Sequence, residues 1–334
     1  MEAPFLFAVI AAIAKAGAAV EDKTMTAKIF IDGEAGTTGL KILERLQGRA
    51  DIDFLHLGDD RRKDLEARKD ALNGADISIL CLPDDAAREA VSLIENGAAR
   101  VIDASTAHRT SEGWVYGFPE YDAGQADQIK AASRVTNPGC YAISAISILH
   151  PLVSAGLLPA DYPVTINAVS GYSGGGKSLI AAFEDNRGED HTDSNFFLYG
   201  LGLEHKHTEE IRVLGGLDNR PLLVPSVGRF AQGMITSVPL QLWSLPGTPK
   251  PADIQAALAA HYQKGDVTVA TAAEAKAAAA HLDPEALNGT DDMIIYVFAN
   301  EARGQAVVAA VLDNLGKGAA GQAVRNLDLM LEQS

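Results

Sequence analysis

Cysteine is scarce in this 334-residue chain, with Cys81 and Cys140 its only two. That excludes a disulfide scaffold and suits a reducing compartment, so cytoplasm is the expected location. Basic residues are also in short supply, 28 Lys and Arg against 44 Asp and Glu, a formal net charge of -16. Such a surface argues against a nucleic-acid backbone or an anionic membrane as partner. Small anionic ligands stay open, because helix N-termini and single arginines hold phosphate. The apolar run Pro4–Ala14 is too short to span a bilayer, is stopped by Lys15, and has Glu2 where an export signal would carry positive charge. What is abundant is apolar residue: 47% hydrophobic against 22% charged predicts a globular protein with ample core, most naturally in two domains.

Residues 1–24 read as an extension upstream of the fold, with a short helix packed on the body as the alternative. From Met25 the chain opens onto a strand, Lys28–Asp32, that ends in Gly33-Glu34-Ala35-Gly36-Thr37-Thr38-Gly39. Leu40, Ile42, Leu43 and Leu46 then follow helical spacing. Further strands are expected at 53–57, 75–82 and 100–103, with a helix over 86–94. This alternation predicts a mostly parallel sheet covered on both faces. Beyond about residue 137 the alternation is lost. A long apolar helix is expected over 140–153, strands over 164–170, 222–227, 234–242 and 293–299, and a helical pattern over 305–330. The expected fold class is α/β, a first domain of this parallel kind joined to an α+β domain with a mostly antiparallel sheet. The Ala-rich stretch 263–290 carries no firm assignment.

Gly33-x-x-Gly36-x-x-Gly39 follows a strand and opens a helix, where glycines admit a dinucleotide pyrophosphate and the helix start favours its charge. The spacing is not the usual G-x-G-x-x-G, and an ordinary glycine turn is the competing reading. Near the end of the next strand stand His56, Asp59, Asp60, Arg61, Arg62 and Lys63, a mixture that leans toward a phosphorylated ribose and hence NADP. Thr37 and Thr38 add hydroxyl donors. Cys140 follows Asn137-Pro138-Gly139 and starts a helix, where backbone N–H groups favour a thiolate and could hold an oxyanion. Cys81, inside a plain apolar strand, shows how an inert core cysteine reads. His205-Lys206-His207 with Glu209 and Glu210 is a compact polar cluster suited to proton transfer, and it lacks the ligand spacing of a metal site. Arg109 offers a guanidinium fork for phosphate or carboxylate, or a routine ion pair. Gly171-x-x-x-x-Gly176-Lys177-Ser178 matches a nucleotide loop and raises an ATP- or GTP-using enzyme as a rival.

Taken in order, Gly33–Gly39, Asp103–Arg109, Tyr116–Glu120, Asn137–Ala142, Val169–Gly174, Glu204–Ile211 and Asp313–Ala323 resemble the shorter type of N-acetyl-gamma-glutamyl-phosphate reductase over roughly 28–330. The resemblance implies an NADP-binding Rossmann domain (25–138), a catalytic and dimerisation domain (139–304) and a C-terminal helix (305–334) returning to the first. It implies reduction of N-acetyl-L-glutamyl 5-phosphate by NADPH to the semialdehyde with release of phosphate, in arginine synthesis, through a thioacyl group on Cys140. His205 and His207 would move the proton, with His205 slightly preferred as base. Arg109, Glu210 and Asn137 would sit beside the substrate. Ser105, Ser173, Gly174 and Asn314 would join Gly33, Gly36, Thr37, Thr38, Gly39 and Arg61 around the cofactor. A homo-oligomer, dimer or tetramer, is implied as well. The chain departs from the family's pattern at Glu209, where Pro is common, and at Lys206, where Arg is usual. Rival readings are an aspartyl or carrier-linked aminoadipyl phosphate as substrate, and an NADP-binding regulator without catalysis.

Overall fold

In a computed structural model the described residues are 26–332, so the reading of 1–24 lies outside them. The first half alternates strand and helix: β1 (Ala27–Asp32), α1 (Thr37–Leu46), β2 (Ile52–Leu55), α2 (Leu65–Gly74), β3 (Ile77–Leu80), α3 (Asp84–Ser92), β4 (Arg100–Asp103), β5 (Val115–Tyr116), α4 (Gln125–Ala131) and β6 (Arg134–Thr136). Its six strands form one parallel sheet in the order β2-β1-β3-β4-β6-β5. β1 has β2 on one side and β3 on the other, so the strand order reverses there and a crevice opens beyond the carboxyl ends. The turn leaving β1 needs its glycines. Gly33 has φ +91°, and a Cβ on it would collide with the Cys81 carbonyl.

The second half holds α5 (Cys140–Ser154), β7 (Thr165–Gly171), α6 (Gly176–Glu184), β8 (Phe196–Leu198), α7 (Thr208–Leu214), β9 (Leu222–Gly228), β10 (Met234–Gln241), α8 (Pro251–His261), β11 (Val267–Val269), α9 (Ala272–Ala278), β12 (Met293–Asn300) and β13 (Gln305–Leu312). Its seven strands run in the order β11-β12-β13-β10-β7-β9-β8. Four of the six neighbouring pairs are antiparallel. The pairs β11–β12 and β7–β9 are parallel. Helix α5 lies against this sheet with Tyr141–Leu149 buried continuously. A helix wetted on no face for that length is held by packing rather than propensity, which gives its N-terminus a rigid seat.

The expected helix over 305–330 is corrected in its first part. Gln305–Leu312 is a central strand, paired along its whole length with β10 and β12. Val307, Val308 and Val311 favour a pleated surface, and burial of Val308–Leu312 on both faces hides the strand's alternation. The last helix, α10 (Gly321–Leu331), begins sixteen residues after β13 does, beyond the π-helical turn Gly316–Ala320. Leu327, Leu329 and Met330 of α10 pack into the first half's core with Ile42, Leu46 and Ile129. Each such buried side chain contributes about 1.5–3 kcal/mol. Arg100 of β4 also donates to the Met330 carbonyl at 2.6 Å. The Ala-rich stretch holds β11 and α9, the latter capped by Thr271 and Glu274.

Candidate active site

Cys140 is the first residue of α5, reached from β6 through Asn137-Pro138-Gly139. The first turn carries no acidic side chain of its own, so the helix's unpaired N–H groups and positive end favour negative charge on the sulfur, opposed by the Glu210 carboxylate behind Gly139. The half-buried Cys140 lines a cleft of about 530 Å³ between the two halves. Thr37 and Thr38 form the wall from the first half; Ser173, Gly174, His205 and His207 are among those facing it from the second. Arg109 and Asn314 line the same cleft.

Gly139 is required by crowding rather than by φ. A Cβ there would collide with His207 Nε2 and lie 2.6 Å from Arg109 Nη1. Behind it, Glu210 is almost fully buried, its Oε1 accepting from the Gly139 N–H at 2.9 Å and the Tyr116 hydroxyl at 2.9 Å. Its Oε2 accepts from Arg109 Nη1 at 2.8 Å. Arg109 also donates from Nε to the Asn137 carbonyl at 3.0 Å and from Nη2 to the Ala104 carbonyl at 3.2 Å. A buried guanidinium held this way keeps one orientation. The two histidine rings lie 4.8 Å apart, centre to centre, at 71°. His205 Nδ1 accepts the His207 backbone N–H at 3.1 Å, which places the neutral ring's proton on Nε2, 3.4 Å from the Tyr199 hydroxyl. His207 Nδ1 is buried with no hydrogen-bond partner among the described residues.

The expected standing thiolate is corrected. Burial pushes the Cys140 thiol above its ordinary value, outweighing the Tyr141 N–H, Lys206 and Arg109, which pull down. Burial also holds His207 well below 6.5, with Arg109 adding to it. His205 is lowered to about 4, by burial first and then by Lys206. Near neutral pH the site therefore holds a thiol beside uncharged imidazoles.

The residues singled out from sequence divide between the cleft wall and the structure behind it. Glu210 turns its carboxylate to Arg109, Tyr116 and Gly139 and does not line the cleft. Asn137 lines the cleft, with its amide donating to the Ala319 carbonyl at 2.9 Å and accepting from Asn326 at 3.1 Å. Asn314 donates to Ser173 Oγ at 3.0 Å and accepts the Gly233 N–H at 2.7 Å, holding the glycine loop. Ser105 faces Asp103, donating its hydroxyl at 2.8 Å, and stands outside the cleft wall. A second cavity of about 320 Å³ runs beside Asp32–Ala35, with Leu57, Arg62 and Lys63 on its rim; Arg61 is exposed and not among its walls. Gly171 and Gly174–Gly176 line the main cleft, but Lys177 and Ser178, which a nucleotide loop would aim at phosphate, do not. Sequence reasoning missed Tyr116, Tyr199 and the π-helical turn. Tyr116 sits in a quoted motif, whereas nothing local marks Tyr199.

A dinucleotide fits these surfaces. The first turn of α1 holds no acid, and the α6 start approaches it, a Cβ on Gly176 lying 3.9 Å from Thr37 Oγ1. Two helix N-termini thus face one gap, which suits a pyrophosphate. No group of three or more His, Cys, Asp or Glu side chains able to hold a metal occurs among the described residues. No helix among them is long and apolar enough to cross a membrane.

The family model of the semialdehyde dehydrogenase NAD binding domain matches residues 28–131, and that of the semialdehyde dehydrogenase dimerisation domain matches 140–314. N-acetyl-gamma-glutamyl-phosphate reductase of Chelativorans sp. is 58% identical over 309 residues, covering 92% of this chain and 99% of that one. The reductase of the same name from Burkholderia cenocepacia is 54% identical, covering 92% and 97%. Among solved structures, aspartate semialdehyde dehydrogenase II of Vibrio cholerae superposes with a TM-score of 0.66 at 15% identity, covering 92% and 99%, a likeness of fold. Aspartate semialdehyde dehydrogenase of Candida albicans gives 0.61 at 12%, covering 91% and 98%. A cysteine seated at a helix start in the cleft between two matched domains, together with identity above half across nearly the whole chain, makes this protein a member of the N-acetyl-gamma-glutamyl-phosphate reductase family.

Proposed function

We propose that the protein reduces N-acetyl-L-glutamyl 5-phosphate with NADPH to N-acetyl-L-glutamate 5-semialdehyde, releasing phosphate, in arginine synthesis. The observation that carries this reading is the placing of Cys140 at the α5 start, in a cleft walled by the Thr37–Thr38 turn on one side and His205 and His207 on the other. A nicotinamide held in this cleft would supply the hydride for the acyl carbon. Arg62 and Lys63 at the second cavity would hold the 2'-phosphate that distinguishes NADP from NAD.

The Cys140 sulfur attacks the acyl carbon as its proton passes to an imidazole; the C–S bond forms, the C–O bond to phosphorus breaks and phosphate leaves. After reduction, the oxyanion of the thiohemiacetal faces the free N–H groups at the α5 start. Its collapse breaks the C–S bond, frees the aldehyde and returns the proton to sulfur. His205 was the expected base, but its Nδ1 lone pair is engaged by the His207 N–H, so its neutral ring presents a donor. We assign proton acceptance to His207, which abuts Gly139, and donation toward substrate oxygen to His205. Starting from neutral partners, ionisation occurs during attack rather than before it.

Arg109 takes a substrate anion in the fork left by its three fixed bonds, and Glu210 holds it there. Exposed Lys206 adds positive charge at the phosphate side of the cleft. Exposed Phe196, Leu198, Leu201 and Leu203, on edge strand β8 and the turn after it, support self-association as dimer or tetramer. The reverse assay tests the reaction: semialdehyde, NADP and phosphate should yield NADPH, and preference for an unacetylated substrate would overturn the assignment.

A further inference from the structure

Lys317 is 1% exposed, yet it is a lysine. It lies in the π-helical turn Gly316–Ala320, and its Nζ donates to both oxygens of Glu120 at 2.9 and 3.1 Å. Asp266 stands 3.6 Å from the same nitrogen, and the Phe118 ring centre lies 5.6 Å away. Glu120 in turn accepts the Asp266 N–H at 2.9 Å. Such a buried pair gains little net stability over apolar packing, because desolvation offsets the attraction. Its energetic signature is geometric: it fixes where the two chain segments lie.

Both segments reach the reacting cysteine. On the Lys317 side, a Cβ on the next residue, Gly318, would lie 2.9 Å from Cys140 Cβ. Any larger residue, or a shift of the turn toward the helix, would displace the nucleophile. Ala319, one position further, accepts the Asn137 amide. On the Glu120 side, the strip Tyr116–Glu120 carries the Tyr116 hydroxyl that binds Glu210, and Glu210 binds the Gly139 N–H and Arg109. Asn326 ties the two sides, donating to the Gly117 carbonyl at 3.0 Å and the Asn137 side chain at 3.1 Å. π-Helical turns are unfavourable in isolation and recur where a backbone is held for function.

We propose that Lys317 is a positioning residue for Cys140: paired with Glu120, it presses the Gly316–Ala320 turn against the nucleophile and sets the cysteine's place relative to His207 and Arg109. This rests on Cys140 being the nucleophile. Misplacement of a reacting group by about 1 Å costs on the order of 10²-fold in rate. Lys317→Met should therefore lower kcat about 10²-fold. NADPH affinity, measured by fluorescence titration of the full chain, should stay as in the parent protein, and alkylation of Cys140 by iodoacetamide should slow with it. Lys317→Arg, which keeps the charge, should recover part of kcat. Glu120→Gln, which keeps the one oxygen that serves both Lys317 and the Asp266 N–H but loses the second acceptor and the charge, serves if Lys317→Met does not fold, and should lower kcat in the same selective way. A lower melting temperature with unchanged kcat in either folded variant would overturn the proposal. Equal loss of kcat and NADPH affinity would do so as well. Turnover retained by Cys140→Ser would instead defeat the nucleophile assignment, a result separate from either outcome.

Discussion

The two cysteines occupy two chain turns with opposite surroundings. Cys81 follows β3, and burial with the Asp103 and Asp32 carboxylates pushes its thiol up to about 12. Cys140 opens α5, where burial also raises the thiol but the Tyr141 N–H, Lys206 and Arg109 oppose it. Burial raises both thiols; only Cys140 has cations beside it, Lys206 and Arg109, set against the one carboxylate of Glu210, and only Cys140 lines the cleft. Reactivity therefore comes from what surrounds the sulfur when it loses its proton, and it is not stored as a standing thiolate.

The comparison breaks most sharply by exchange. Cys140→Ser should lose about 10⁶-fold in kcat, the scale seen when a nucleophile is removed from a site that acts as a unit, while NADPH still binds. Cys81→Ala should leave turnover unchanged, and a comparable loss would mean that the carboxylate-lined cysteine takes part. Next in size, Arg109→Lys keeps the charge but loses the fork, so KM for the acyl phosphate should rise about tenfold. An unchanged KM would remove Arg109 from the substrate.

Smaller effects probe the first half alone. Arg62→Ala with Lys63→Ala should weaken NADPH about tenfold and leave NADH as it was, the size expected for a lost charge-assisted contact. Arg61→Ala should change neither, because Arg61 does not reach that cavity. The smallest effect is on stability. His205 is lowered to about 4 from 6.5, so between those values the unfolded chain binds a proton that the folded chain refuses. Stability from this group is present above pH 6.5 and lost as pH falls toward 4. His205→Gln should flatten the fall of melting temperature over that window relative to the parent protein, and an identical slope would show that the ring is not held neutral.

Much of this was legible in sequence because it is local. The Gly33–Gly39 turn stands between a strand and a helix, and Asn137-Pro138-Gly139 ahead of a long apolar run announces α5 and its first residue. His205 and His207 are adjacent enough to be read as one cluster. The helix over 305–330 misread β13, since a strand buried on both faces loses the period that identifies it. Sequence does not give the phase of an irregular turn, so it points to Arg61 where Arg62 and Lys63 line the cavity. Glu210 was placed against substrate because its partners Tyr116 and Arg109 lie about a hundred residues away. The Lys317–Glu120 pair, 197 residues apart, leaves no local trace beyond two motifs whose meeting only the fold reveals.

The central claim is that Cys140 carries the acyl group. Mixing the protein with N-acetylglutamyl phosphate in the absence of NADPH, followed by acid quench and peptide mass mapping, tests it directly. One acyl group per chain is expected, on the peptide bearing Cys140, with an equal amount of phosphate released. Phosphate release without a covalent adduct, or an adduct on Cys81, would contradict it.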